Sequence, residues 1–228
     1  MVNSRAKGII KKNQHFLQLT KIIYNLIFQP KKNIKGKENK IKNNGAWAKN
    51  IKVKIIGNNN EIIFKSNSNL KDFKIYINGN NNRIIIHENS FIENGEFFIE
   101  DDGNVIIINS NSTICFGFHF ACIEGTIIEI GEDCLFSSNV TIRTGDSHSI
   151  VNMDGERINR SNNVSIGNHV WIGNDCTILK GSIIKDNTIV GTRSLVSKKF
   201  SETGLIITGV PAKRIKSGVN WDKQRIPY

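Results

Sequence analysis

Residues 166–200 read IGNHVWIGNDCTILKGSIIKDNTIVGTRSLVSKKF, and an aliphatic residue returns at every sixth position: Ile166, Ile172, Ile178, Ile184, Val190 and Val196. Four positions after each stand Val170, Cys176, Ser182, Thr188, Ser194 and Phe200, and only Phe200 is large. A step of six fits neither the alternation of a single strand nor the 3.6-residue period of a helix. It suits a short strand plus a corner, three of which close a triangular coil of 18 residues. Inward aliphatics then stack coil on coil, and small residues fill the corners. The same phase holds upstream at Ile130, Phe136 and Ile142, with Cys134 and Val140 in the second slot. Residues 130–142 and 166–200 are therefore expected to form a parallel β-helix. Ile142 and Ile166 are 24 residues apart, four hexads, so the phase survives the interruption between them. The segment 146–163 is expected to protrude as a loop, a usual place for function.

A looser repeat precedes the hexads. Gly57-Asn58-Asn59-Asn60-Glu61-Ile62-Ile63 returns 22 residues later as Gly79-Asn80-Asn81-Asn82-Arg83-Ile84-Ile85. The same spacing leads to Asn104-Val105-Ile106-Ile107 and then Thr126-Ile127-Ile128. Four copies predict four coils with longer corners, the asparagines tolerating the left-handed backbone that corners need. Asn-rich disorder conflicts with the fixed spacing and the β-branched runs.

The charge is uneven. Residues 1–54 hold 14 Lys or Arg against one acidic residue, Glu38, while 55–228 carry a slight excess of acid. The chain divides accordingly into a basic arm at 1–50, the β-helix at 51–208 and a tail at 209–228. Such an arm suits anionic lipid, nucleic acid or an acidic polymer, or is simply solvated. Residues 11–28 have the spacing of an amphipathic helix, with Phe16, Leu19, Ile23, Leu26 and Ile27 on one face. Packing on the coil stack or a neighbouring subunit is expected for that face, with membrane-surface docking the alternative. Cys115, Cys122, Cys134 and Cys176 form no CxxC pair and read as free thiols. The opening residues lack the apolar run of a signal peptide, and Ile22 to Phe28 is too short to span a bilayer. A soluble, cytoplasmic protein is the expectation.

The hexads, Thr144-Gly145-Asp146-Ser147-His148, Asn168-His169-Val170-Trp171-Ile172-Gly173 and Gly209-Val210-Pro211-Ala212-Lys213 together resemble the hexapeptide-repeat acyltransferase superfamily. The run Asp154-Gly155-Glu156-Arg157-Ile158-Asn159 is similar to O-acetyltransferases of bacterial capsular and other surface polysaccharides, including sialic acid polymers. The resemblance covers roughly residues 115–222. It implies an all-β chain wound as a left-handed parallel β-helix, an exception to the usual right-handed crossover. It also implies a homotrimer using acetyl-CoA, with a sugar or polysaccharide acceptor and neither a metal nor a nucleic acid.

A sugar hydroxyl is a poor nucleophile, so acetyl transfer needs a base, donors for the developing oxyanion and a coenzyme site. The resemblance makes His148 the general base, and an imidazole can accept and return a proton near neutrality. Asp146 would orient the imidazole or bind the acceptor. Trp171 would sit beside the acyl group or acceptor, unless it is a packing residue at a subunit contact. Asn174, Thr192, Ser197 and Lys198 match positions lining the coenzyme, and Lys213 and Lys216 match cations near its phosphates; each Lys alone also suits a plain solvated surface. His119 and His169 lack the close pairing of an intersubunit zinc site; His169 reads as a surface or contact residue, and His119 as a structural histidine or one that reaches the acceptor site. O-acetylation is the leading function. N-acetylation of an amino sugar, perhaps nucleotide-linked, and a non-catalytic β-helix with a basic arm are the alternatives.

Overall fold

The computed structural model describes the backbone of residues 4–227 and the side chains of residues 16–227. After an N-terminal helix, Ser4–Ile27, every strand from Lys31–Lys35 onward takes its place on one of three faces in strict rotation. The first face holds eight parallel strands, from Lys31–Lys35 to Leu195–Val196, and the second eight, from Lys40–Asn43 to Lys199–Phe200. The third runs from Trp47–Lys49 to Leu205–Gly209 and adds an antiparallel ninth strand, Ala212–Ser217, which covers its edge.

Register reproduces the periods read from the sequence. Lys52 pairs with Lys74 and Lys74 with Glu96, a 22-residue coil, whereas Thr177 pairs with Leu195, an 18-residue coil. Ile166, Ile172, Ile178, Ile184, Val190 and Val196 all point inward and are buried. Each fully buried aliphatic of this size contributes about 1.5–3 kcal/mol. Cys134, Cys176, Ser182, Thr188 and Ser194 fill the corners beside them. Burial pushes the thiols up, that of Cys134 to about 11, so these are packing residues rather than nucleophiles.

Phe200 is not a large residue forced into a corner. It pairs with Ile184, 16 residues earlier, so the last corner is two residues short and Phe200 takes an inward strand position. The wider coils owe their corners to asparagine. Asn60, Asn82 and Asn104 are fully buried, and the Oδ1 of each accepts the backbone N–H one coil on, at 2.8–3.0 Å, ending at Thr126. Gly57 opens one such corner at φ 132°, where a Cβ would lie 2.0 Å from the Gly79 carbonyl oxygen.

Both expected domain boundaries move. The coils begin at Lys31 rather than 51, because Lys31–Lys35 and Lys40–Asn43 pair in register with Lys52–Ile56 and Glu61–Phe64. The first coil is rich in exposed lysines, and beside the small Ala46 and Ala48 only Ile51 is a fully buried large aliphatic, so it shows no aliphatic period. The boundary at 208/209 falls inside the hairpin that joins Leu205–Gly209 to Ala212–Ser217. The helix extends back to Ser4; residues 1–3 of the expected arm lie outside the described residues. Its expected apolar face does not pack on the stack: Phe16, Leu19, Ile23, Leu26 and Ile27 are all exposed. Contact runs instead through Tyr24, edge-on to Trp47, and through Asn25. The Asn25 carboxamide donates to the Ala46 carbonyl at 2.8 Å and accepts from Ala48 N at 3.2 Å.

Candidate active site

The segment 146–163 leaves the first face after Thr141–Arg143 and returns to the second at Val164–Ile166. It is a small hairpin. Ile158 N donates to the Ile150 carbonyl and Asn152 N to the Glu156 carbonyl, both at 2.9 Å, and Val151 bridges Arg157. The Asn152 Oδ1 closes the tip by accepting from Asp154 N at 3.0 Å and Glu156 N at 2.8 Å.

Asn159 is the buried hub of the root. Its Nδ2 donates to Asp146 Oδ2 at 2.8 Å and to the His148 carbonyl at 2.7 Å, and its Oδ1 accepts from Ile150 N at 2.8 Å. From the next coil, Lys180 Nζ pairs with Asp146 Oδ2 and donates to the Asn159 carbonyl at 3.1 Å. From the preceding coil, Glu124 pairs with Arg157 at 2.6 Å and accepts from Ser161 Oγ at 2.7 Å. Lys180, then Asn159, hold the Asp146 carboxyl below the usual carboxylate range. Arg157, then Ser161, do the same for Glu124. The loop is thus braced from both neighbouring coils.

His148 sits on this braced base with its carbonyl pinned by Asn159 and its side chain exposed. Its ring makes no hydrogen bond among the described residues. Asp146 does not orient the imidazole as expected, because its carboxylate is engaged by Lys180 and Asn159. Its link to His148 runs through Asn159.

Trp171 lies outward on the third face between Leu135 and Ile189, 38% exposed, with Nε1 donating weakly to Ser137 Oγ at 3.4 Å. In a triangular section, the corner between the first and second faces lies opposite the third. His148 and Trp171 of one chain therefore occupy opposite sides of the prism.

The coenzyme candidates also divide. Asn174 and Thr192 are exposed at the corner between the third and first faces, and Ser197 and Lys198 at the corner between the first and second. Lys213 and Lys216 are exposed on the edge strand Ala212–Ser217 and form no ion pair among the described residues. Arg214 between them is held by Glu202 at 2.8 Å. Exposed cations of this kind suit a polyanionic coenzyme.

His119 and His169 do not converge on His148. His119 faces outward on the first face, 3.4 Å from Glu96. His169 stacks on Trp221 with ring centroids 4.2 Å apart; its Nδ1 lies 2.8 Å from Asp133 Oδ2 and its Nε2 2.9 Å from the Trp221 carbonyl. It is a contact residue that pins the C-terminal tail. Among the described residues no group of three potential ligands gathers at one point. Lys180 and Glu124 were missed by sequence reading; Asn159 was visible only as the end of the Asp154–Asn159 run.

Comparison with known proteins follows the same lines. The family described as "Bacterial transferase hexapeptide (six repeats)" matches residues 163–198. A polysialic acid O-acetyltransferase of Neisseria meningitidis is 34% identical over 98 residues, 42% of this chain and 46% of the relative. The match thus spans about half the length of that curated relative. Two solved structures align over 86% of the chain at 29% identity. The polysialic acid-specific acetyltransferase NeuO has a TM-score of 0.79 with 89% of its chain covered. The polysialic acid O-acetyltransferase OatWY has a TM-score of 0.78 with 92% covered.

Proposed function

We propose that this chain, a left-handed hexapeptide-repeat β-helix similar to polysialic acid O-acetyltransferases, moves acetyl from acetyl-CoA to a hydroxyl of a bacterial surface polysaccharide or its sugar precursor. The observation that carries the reading is His148: a solvent-facing imidazole on a loop whose backbone is fixed by Asn159 and Lys180. A proton acceptor held by its main chain, with an unoccupied ring, is what a general base for an incoming hydroxyl requires. The acceptor hydroxyl gives its proton to the imidazole as its oxygen attacks the thioester carbonyl. The carbon–sulfur bond then breaks, and the proton passes to the leaving thiolate.

The opposed placement of His148 and Trp171 supports a site shared between chains. A threefold assembly brings one chain's loop corner against a neighbour's third face, with acetyl-CoA between the two β-helices. Lys198, Lys213 and Lys216 then supply cations for its phosphates. The test is acetyl transfer from acetyl-CoA to a panel of surface polysaccharides and sugars, read by mass spectrometry. A hydroxylamine-labile ester supports the proposal, and a hydroxylamine-stable amide would assign the chain to N-acetylation instead.

A further inference from the structure

We infer that the N-terminal end of the prism is a docking surface for an anionic lipid bilayer, with the helix Ser4–Ile27 lying in the interface. The helix has two opposed sides. Lys21, Tyr24, Asn25 and Phe28 turn toward the first coils, where Lys21 Nζ donates to Asn67 Oδ1 and the Asn25 carboxamide completes the edge of Trp47–Lys49. The opposite arc carries Phe16, Leu19, Ile22, Ile23, Leu26 and Ile27, exposed by 48–69%. Asn25 thus locks the helix with Phe16, Leu19, Ile23 and Ile27 pointing away from the protein and Ile22 and Leu26 at the mouth of the cleft beside the first coil, the reverse of what a helix serving only the core would do.

The surroundings select the occupant. The first coil beside the helix exposes Lys31, Lys32, Lys35, Lys37 and Lys42, with Glu38 the one acidic residue of that coil. A cleft of about 750 Å³ between helix and coil corner opens beside Lys21 and Lys32. Apolar side chains rimmed by lysines match a bilayer whose acyl region lies under anionic headgroups. A nucleic acid offers nothing to the apolar arc, and a second copy brought end to end presents the same positive charge. No helix among the described residues is long and apolar enough to cross a membrane, so the helix lies on the surface rather than spanning it. Thr141 stands five coils above Lys31, so the rung bearing the loop lies ~24 Å from the first coil at the usual strand spacing.

The experiment is flotation of the full chain with vesicles of phosphatidylcholine, with and without phosphatidylglycerol, at low and high salt. The protein floats with the phosphatidylglycerol vesicles, and binding weakens with salt. A double variant, Ile23→Asp with Leu26→Asp, and a triple variant, Lys31→Gln, Lys32→Gln and Lys35→Gln, each reduce it at least about tenfold. Both sets of positions are exposed, so the thermal transition is unchanged. Equal flotation of wild type and both variants, or no flotation on phosphatidylglycerol, overturns the inference. So does a double variant that changes the oligomeric state and leaves vesicle binding intact, because the apolar arc is then a subunit contact.

Discussion

Asn159 donates one hydrogen bond to Asp146 at 2.8 Å and another to the His148 carbonyl at 2.7 Å, joining the two ends of the excursion. That bridge fixes where the imidazole starts from, and Lys180 secures it by holding both Asp146 and the Asn159 carbonyl. In the proposed mechanism Asp146 is then an anchor for the loop through Lys180 and Asn159, one step removed from the proton transfer.

Lys180→Met removes this anchor without touching the imidazole. Acetyl transfer should fall about tenfold or more, a loss typical of misplacing a catalytic group, while the Michaelis constant for acetyl-CoA stays the same. Limited proteolysis within residues 150–158 should accelerate in parallel. The pH dependence has a definite sign. Because the Asp146 carboxyl is held low, mainly by Lys180, its contribution is complete above the usual carboxylate range and is lost as pH falls below it. Wild type should therefore show the same loosening only in acid. A variant with unchanged proteolysis would remove Lys180 from the brace.

The buried asparagines make a second prediction. Asn82→Ala takes the acceptor from Asn104 N, and the Asn82 Nδ2 bond to the Asp101 carbonyl goes with it. A buried donor left without a partner costs about 1–3 kcal/mol, or about 2–12 °C in melting temperature for a chain of this size. Asn58→Ala should change little, because Asn58 is at the surface and water replaces its bond to Lys37 N. Differential scanning calorimetry of the two variants decides it; equal melting temperatures would contradict the ladder.

Lys213→Ala and Lys198→Ala address the coenzyme phosphates. Each should raise the Michaelis constant for acetyl-CoA more than it lowers turnover, since phosphate contacts are made in ground and transition state alike. Both side chains are exposed, so the effect should shrink with salt. Steady-state kinetics at two ionic strengths measures this, and an unchanged acetyl-CoA dependence in both variants takes them out of the site.

The hexads made the fold legible because each six-residue step is one face of the prism, and Ile166 to Val196 keep that step unbroken. The first coil was not legible: Ile34 is exposed, Ile41 partly buried, Ala46 and Ala48 small, and Ile51 alone is a fully buried large aliphatic, too sparse to show a period beside the lysines. Phe200 looked anomalous because a shortened corner shifts phase without leaving a mark in composition. In the loop, His148 could be found by motif, but its supports could not. Lys180 and Glu124 meet the loop from residues 34 and 37 positions away, through pairs set by coil stacking. His169 shows the converse. A hexad residue that reads as a surface or contact position holds Trp221, a partner 52 residues away that no motif points to, so His169→Ala would loosen the C-terminal tail.

The central claim is that His148 is the base, and His148→Ala tests it most directly, with half-buried His87→Ala beside it. The measurement is single-turnover acetyl transfer to the polysaccharide that wild type modifies, together with acetyl-CoA binding and light scattering. The His148 variant should lose at least about 10²-fold in transfer rate, the usual cost of removing a positioned base. Acetyl-CoA affinity, assembly and melting temperature should match wild type, and His87→Ala should remain active. Wild-type transfer by the His148 variant, or an equal loss in both variants, would contradict the account and turn the search for a proton acceptor to His119.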